Sequence, residues 1–394
     1  IGGWTQVAAH GTGATLPTVE EQIVSMRLVT PSKGVLTLSE DEDPELFNMA
    51  KAGLGALGVV SEVTLHCVEK HKLLENSTVM SRLMVARHHR DRLKAYRHLR
   101  YMWIPYTDRV VVVCSNPYPR NADPKSLPPH VLEALEAPLT ETDRVITVLE
   151  YAERIAGIEL TPELKDSDIV DTLSFAALRD RLLDIDPLNV EHIKKVAQSE
   201  LAYWNLAAGW RFEDSTDVLG FDCGGEQWVL EVAFPITGDD PKVDPKDITF
   251  IDDCLKALED AGIPAPSPIE QRWTASSTAP MSPAFDAAAP TAAAPVHSWV
   301  GVIMYLTPGQ DKEGRAAITE RFNDYTAALA PVYEKYGAVP HWAKLEIGKG
   351  WGISLENQRR LLRERYDVDA FNKRRMELDP KGVLANDWVE KLLD

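Results

Sequence analysis

The chain has 394 residues, 44% of them hydrophobic and 26% charged, which excludes a mainly disordered or fibrous protein and allows two or three domains. Its formal charge of −18 repels phosphate backbones and argues against nucleic-acid binding. No run of eighteen apolar residues offers a membrane-spanning helix. The four cysteines are widely spaced without a CxxC pair, so neither a zinc ribbon nor a disulfide framework is expected.

Residues 1–7 read like the middle of a structured element, without a charged leader region, and the sequence opens on Ile1 rather than Met. Either a leader has been removed or a longer protein continues upstream. Thr18 and Glu21 have the spacing of a capping box before a short turn. Residues 23–39 alternate, turn through Pro31-Ser32-Lys33-Gly34 and resume, which predicts a hairpin. Asp43-Pro44-Glu45 opens a helix, with acidic groups and a proline at its positive end. A glycine-rich turn and a strand at 59–67 follow.

Residues 82–100 carry seven Lys/Arg and three His against Asp91 alone. A solvated face is one reading; contact with an acidic or anionic lipid surface is the other. A strand at 109–114 and a Pro-rich loop with one short helix at 117–145 come next. Helical patterns occupy 173–185, 190–208, 248–261, 312–336 and 355–366, with strands at 228–234 and 298–306. Residues 278–295, rich in Ala, Pro, Ser and Thr, read as a mobile loop. There is no internal repeat.

Gly53-Leu54-Gly55-Ala56-Leu57-Gly58 matches GxGxxG, but a helix precedes it and a strand follows, the reverse of a dinucleotide fingerprint. Its glycines serve a tight turn or a close backbone approach. His10-Gly11-Thr12-Gly13 offers a similar approach, or a plain turn. In 268–273, Glu270 and Arg272 stand two apart, so on a strand they share one face while Gln271 and Trp273 take the other. Such a pair can orient a hydroxylated substrate and offset developing negative charge, or be a simple ion pair. His341-Trp342-Ala343-Lys344 adds a titratable ring, an aromatic plane and a cation, or simply ends a strand. Cys223 is a candidate reactive thiol or a small buried hydrophobe. GxSxG and HExxH are absent, and no metal site is expected.

In order along the chain, AHGTGA (9–14), GLGALGVVSEVTLHC (53–67), LGFDCGG (219–225), IPAPSPIEQRW (263–273), SWVGVIMYL (298–306), HWAK (341–344), Asp379-Pro380 and Leu384-Ala385-Asn386 resemble the aldonolactone oxidoreductases of the vanillyl-alcohol oxidase flavoprotein family. The resemblance implies an α+β flavoprotein. The C-terminal part of an FAD-binding domain would span 1–70, and a substrate or cap domain with a mixed or antiparallel sheet under helices would span 71–394. The C-terminal end could return to the FAD domain. It implies FAD-dependent oxidation of L-galactono-1,4-lactone to L-ascorbate, with cytochrome c as acceptor. Localisation on the intermembrane-space side of the mitochondrial inner membrane follows, with respiratory complex I as a further partner.

Carried over by residue, His10, Gly11, Thr12 and Gly13 would lie against the flavin. Gly53, Gly55, Gly58 and Val60 would meet its adenosine or pyrophosphate. Glu270, Arg272 and Lys344 would be catalytic, and Cys223 redox-sensitive. The family's FAD domain begins well before the position matching Ile1. A non-catalytic subunit or assembly factor of complex I, and an oxygen-using aldonolactone oxidase, are the alternatives.

Overall fold

The expected hairpin forms where the alternation placed it. In the computed structural model, which describes residues 2–136, 139–220, 224–236, 245–291, 294–344 and 353–394, β1 (Ile23–Thr30) pairs antiparallel with β2 (Gly34–Ser39) and β3 (Val59–Leu65). Met26 and Leu28 face inward while Arg27 and Val29 face solvent, the period-two split of a half-buried sheet. The turn closes because Gly34 takes φ 69°, a left-handed conformation that costs glycine little. The helix Pro44–Lys51 starts as predicted, with Pro44 in its first turn and the Asp43 carboxylate accepting from the Leu46 amide. Thr18 does not cap: its hydroxyl donates to Glu20 instead.

The larger sheet has eight strands: β4 (Lys72–Ser81), β5 (His98–Ile104), β6 (Arg109–Tyr118), β7 (Gly209–Asp214), β8 (Gln227–Pro235), β9 (Ile269–Ala275), β10 (Val296–Tyr305) and β11 (Val339–Pro340). They lie antiparallel in the order β11-β8-β10-β9-β5-β6-β4-β7. The α+β class follows. On one face, Tyr101, Val112, Phe234, Trp273 and Val300 join a buried cluster that includes Phe250 and Tyr333 from the helices Lys246–Asp260 and Lys312–Tyr336. The same cluster continues into Met26, Leu28 and Phe47 of the small sheet. On the opposite face, the helices Glu141–Arg154, Phe175–Asp184 and Val190–Ala207 bury Ile303 and Tyr305. Met102, Ile104 and Val111 are buried with Ala197 of the last of these helices. At the far end of that face, Ala284 packs on Ala233 and Trp299. Between these covers lies a polar band.

Three expectations need correction. Residues 278–295 were expected to be a mobile loop, yet Ala279, Met281, Ser282 and Ala284 are buried. Ser277 and Thr278 are tied to Glu20 and Glu21. Small residues here allow close packing rather than freedom. The basic stretch is the helix Arg82–Ala95 running on to β5, and several of its groups turn inward: Arg92 donates to the Val85 carbonyl, and His89 is fully buried against Asp247. Finally, 117–145 holds the helix Pro129–Glu136 and the start of a second, at Glu141, under a full capping box. Among the described residues no helix is long and apolar enough to cross a membrane.

The helix Val368–Leu378, one helix before the C-terminal end, returns to the hairpin. The Ser32 hydroxyl donates to the carbonyls of Glu377 and Leu378, and Arg374 pairs with Glu45 at 2.8 Å.

A buried carboxyl lies under the helical cover. Glu200 is 2% exposed; burial lifts its pKa to about 7, with Arg179 opposing. Its folded value exceeds the ordinary 4.5, so the folded state holds a proton that the unfolded chain has lost. Stability is therefore expected to fall by about 3 kcal/mol as pH rises from 4.5 to 7. Urea titrations of Glu200→Gln beside the parent chain, across that window, should show this slope only in the parent.

Candidate active site

The polar band is set by register. Gly301 of β10 stands opposite Glu231 of β8 on one side and Glu270 of β9 on the other. Arg272 follows on β9, and its partner on β5 is Arg100. With no side chain at Gly301, the row between the two carboxylates stays open, and a guanidinium can cross it.

Glu231 is the centre. Its side chain is 1% exposed, and its carboxylate takes Lys344 Nζ at 2.6 Å, Arg272 Nη2 at 2.7 Å and His10 Nε2 at 3.1 Å. Arg272 also lies 3.3 Å from Glu270, which Arg100 approaches at 3.6 Å. Burial alone would raise the Glu231 pKa, but the fields of Lys344, His10 and Arg272 outweigh it and hold the carboxyl well below its usual range. Burial lowers the His10 pKa against the pull of Glu231. It takes His341 down to about 3. Burial thus disfavours the charged form of both rings, beside an ionised carboxylate.

The back of β9 is equally well determined. Gln271 and Trp273 point away from the site, fully buried, as the period-two reading requires. Trp273 Nε1 donates to Asp247 Oδ2 at 2.7 Å, and His89 Nε2 faces the same oxygen at 2.8 Å. Gln271 donates to Ser298 Oγ and accepts from Trp103 Nε1, each at 3.0 Å. These bonds fix the rotation of the strand that aims Glu270 and Arg272.

The loop at 10–13 lies beside this band. His10 stacks on Trp299 with ring centroids 3.9 Å apart. The Thr12 carbonyl accepts from the Leu99 amide, and its hydroxyl meets His98 Nδ1 at 3.2 Å. Gly13 bridges to Thr274, where a Cβ would collide with the Arg97 carbonyl. Gly11 is exposed, with open space around it.

The structure therefore brings together His10, Glu270, Arg272 and Lys344, with Gly11, Thr12 and Gly13 alongside. Gly53, Gly55, Gly58 and Val60 gather elsewhere. Gly55, Gly58 and Val60 line an open groove of about 360 Å³ with Gly2, Gly3, Gln6 and Val7. Gly53 lies behind it, where a Cβ would come within 3.0 Å of Gln6 Oε1. Gly58 packs so closely on β1 that a Cβ would lie 2.6 Å from Leu28 Cγ. The GxGxxG stretch indeed sits between a helix and a following strand. Gln6 holds the glycine turn to the N-terminal segment: its side chain donates to the Ala50 carbonyl, and its own carbonyl accepts from the Leu54 amide. Cys223 lies outside the described residues.

Glu231 and Arg100 were not among the candidates. The available signal was an acid alone in the apolar run QWVLEVAFP, since a lone charge in a buried strand needs a partner. Donor atoms of His10, Glu231 and His341 also lie within 4.8 Å of one another, a metal-like grouping. Lys344 and Arg272 already balance Glu231 there, and a divalent cation would meet net repulsion.

Known proteins resemble the chain throughout. It is 45% identical over its whole length to a protein of Brassica oleracea named L-galactono-1,4-lactone dehydrogenase, mitochondrial, and covers 64% of that protein. A protein of the same name from Arabidopsis thaliana is 44% identical, with 63% covered. The chain thus spans slightly less than two thirds of these relatives. Among solved structures, the cholesterol oxidase of Brevibacterium sterolicum aligns with all of this chain and 75% of its own, at a TM-score of 0.61 and 15% identity, a likeness of fold. Residues 170–392 match the model of the D-arabinono-1,4-lactone oxidase family. That match takes in β8, β9, β10 and Lys344, and so Glu231, Glu270 and Arg272, and the chain belongs to the D-arabinono-1,4-lactone oxidase family.

Proposed function

We propose that the chain is the substrate-handling part of an FAD-dependent aldonolactone dehydrogenase that oxidises L-galactono-1,4-lactone to L-ascorbate. The observation that carries this reading is the Glu270–Arg272 pair, aimed from one face of β9 into a band that also holds Lys344 and His10.

The residues suit such a cofactor in two places. The groove beside Gly55 and Gly58 offers backbone groups without obstructing side chains, enough for part of an extended dinucleotide. Beside the cations, exposed Gly11, with no side chain and open space around it, leaves room for a flat heteroaromatic group against the loop. Bound FAD would supply the two-electron acceptor for oxidation at carbon. Glu270 accepts hydrogen bonds from the lactone hydroxyls and orients the ring. Arg272 and Lys344 offset negative charge that develops in the site, in partly buried positions where such charges act strongly. The helical cover and the 279–285 segment limit water on either side.

In this reading residues 1–70 belong to the FAD-binding domain and 71–394 to the substrate domain, and the bonds from Ser32 to Glu377 and Leu378 return the C-terminal region to the former. Cytochrome c is the electron acceptor, and the protein works at the mitochondrial inner membrane on its intermembrane-space side, near complex I. The relatives' name supports the mitochondrial part. The purified protein should show flavin absorption that bleaches anaerobically on adding L-galactono-1,4-lactone; bound flavin that stays oxidised overturns the assignment.

A further inference from the structure

We propose that Glu231 is the positioning residue of this site, the carboxylate that holds Lys344 and Arg272 in place so that Glu270 can serve the substrate. This rests on the reading above and adds a residue that neither the motifs nor the family resemblance pointed to.

Three remote pieces of chain meet on that one group: residue 10, strand β9 and the segment after β11. Arg272 is nearer Glu231, at 2.7 Å, than Glu270, at 3.3 Å. Glu231 therefore fixes the guanidinium, and Glu270 keeps longer contacts and 16% side-chain exposure. Lys344 is held in the same way. Its segment joins the sheet through the two-residue pairing of Val339 with Ala233 and Pro340 with Val232, and through the His341 amide donating to the Glu231 carbonyl at 2.8 Å. Farther on, Trp342 Nε1 donates to the Met281 carbonyl. Glu231 thus holds this segment twice, by backbone and by side chain. From the other neighbours the carboxylate faces His10 and, across β10, a glycine.

Burying a carboxylate is costly, and here two cations on separate elements offset the cost. Remove the negative charge, and Arg272 and Lys344 face each other with nothing between them. They would move apart, Lys344 toward solvent and Arg272 toward Glu270. A plain stabilising ion pair would lower stability without selecting a kinetic step. A positioning group changes the chemical step more than substrate binding.

The test compares the full chain with Glu231→Gln and Glu231→Asp in two measurements. Hydrogen exchange of the peptide 338–344 should accelerate about tenfold or more in the Gln variant while β1 peptides stay unchanged. In FAD-loaded protein, single-turnover reduction by L-galactono-1,4-lactone should slow about a hundredfold, with the half-saturating lactone concentration changed no more than about threefold. The Asp variant, which keeps the charge, should recover about tenfold of that loss. Unchanged exchange at 338–344 in a folded Gln variant overturns the proposal, as does equal impairment by Asp and Gln. If the Gln variant does not fold, Lys344→Met removes the other end of the contact, and unchanged exchange of 338–344 there is equally decisive against it. A parent chain that binds FAD and is not reduced by the lactone refutes the assigned reaction instead, and the exchange measurement still decides the role of Glu231.

Discussion

Replacing Arg272 by alanine is expected to slow lactone-driven flavin reduction by about 10²–10³-fold, the usual loss when one preorganised charge-stabilising donor is removed. The guanidinium reaches Glu231 at 2.7 Å and Glu270 at 3.3 Å and is 14% exposed, so little solvent replaces it. Arg272→Lys should recover only part of the rate, because an ammonium cannot span two carboxylates as a planar fork does. Stopped-flow measurement at saturating lactone separates the chemical step from binding. A reduction rate within about threefold of the parent would remove Arg272 from the chemistry.

The second large effect is on stability and lies behind the same strand. Asp247→Ala is expected to destabilise the chain by about 3–5 kcal/mol. The substitution leaves Trp273 Nε1 and His89 Nε2 facing a cavity, where they now share one carboxylate oxygen at 2.7 and 2.8 Å. Asp247→Asn, which keeps an acceptor, should cost less. Burial favours the protonated form of Asp247, yet His89 and Trp273 reverse that and hold its pKa below the ordinary 3.8. Its ionisation therefore contributes stability above the unfolded pKa of about 3.8, and this is lost as pH falls through the lower folded value. Urea denaturation at pH 7 and near pH 3 should show the gap between parent and alanine variant narrowing in acid. A gap of under about 1 kcal/mol at pH 7 would show that the network does not hold β9.

Both effects depend on one short strand with chemistry on its front and a buried network on its back. The front was legible from spacing alone: in any strand, residues two apart share a face, so Glu270 and Arg272 had to point together wherever β9 was placed. The hairpin at β1 and β2 and the helix start at Asp43 were legible for the same reason, since alternation, a left-handed glycine and an N-cap act within a few residues. The strands β4 and β7 were not legible. Their sequences KLLENSTVMS and GWRFED are polar, and at the sheet margin pairing rather than burial selects the strand conformation.

The amino-acid sequence by itself determined the local elements, the shared face of Glu270 and Arg272 and the family to which the chain belongs. Tertiary structure alone decided that Glu231 gathers Arg272, Lys344 and His10, that His89 of the basic stretch is spent on Asp247, and that 278–295 packs against Glu20 and Glu21. The physical reason is range. Backbone geometry is set by neighbours in sequence, whereas a buried charge is stable only where distant segments bring its partners, and no spacing within the chain records that meeting.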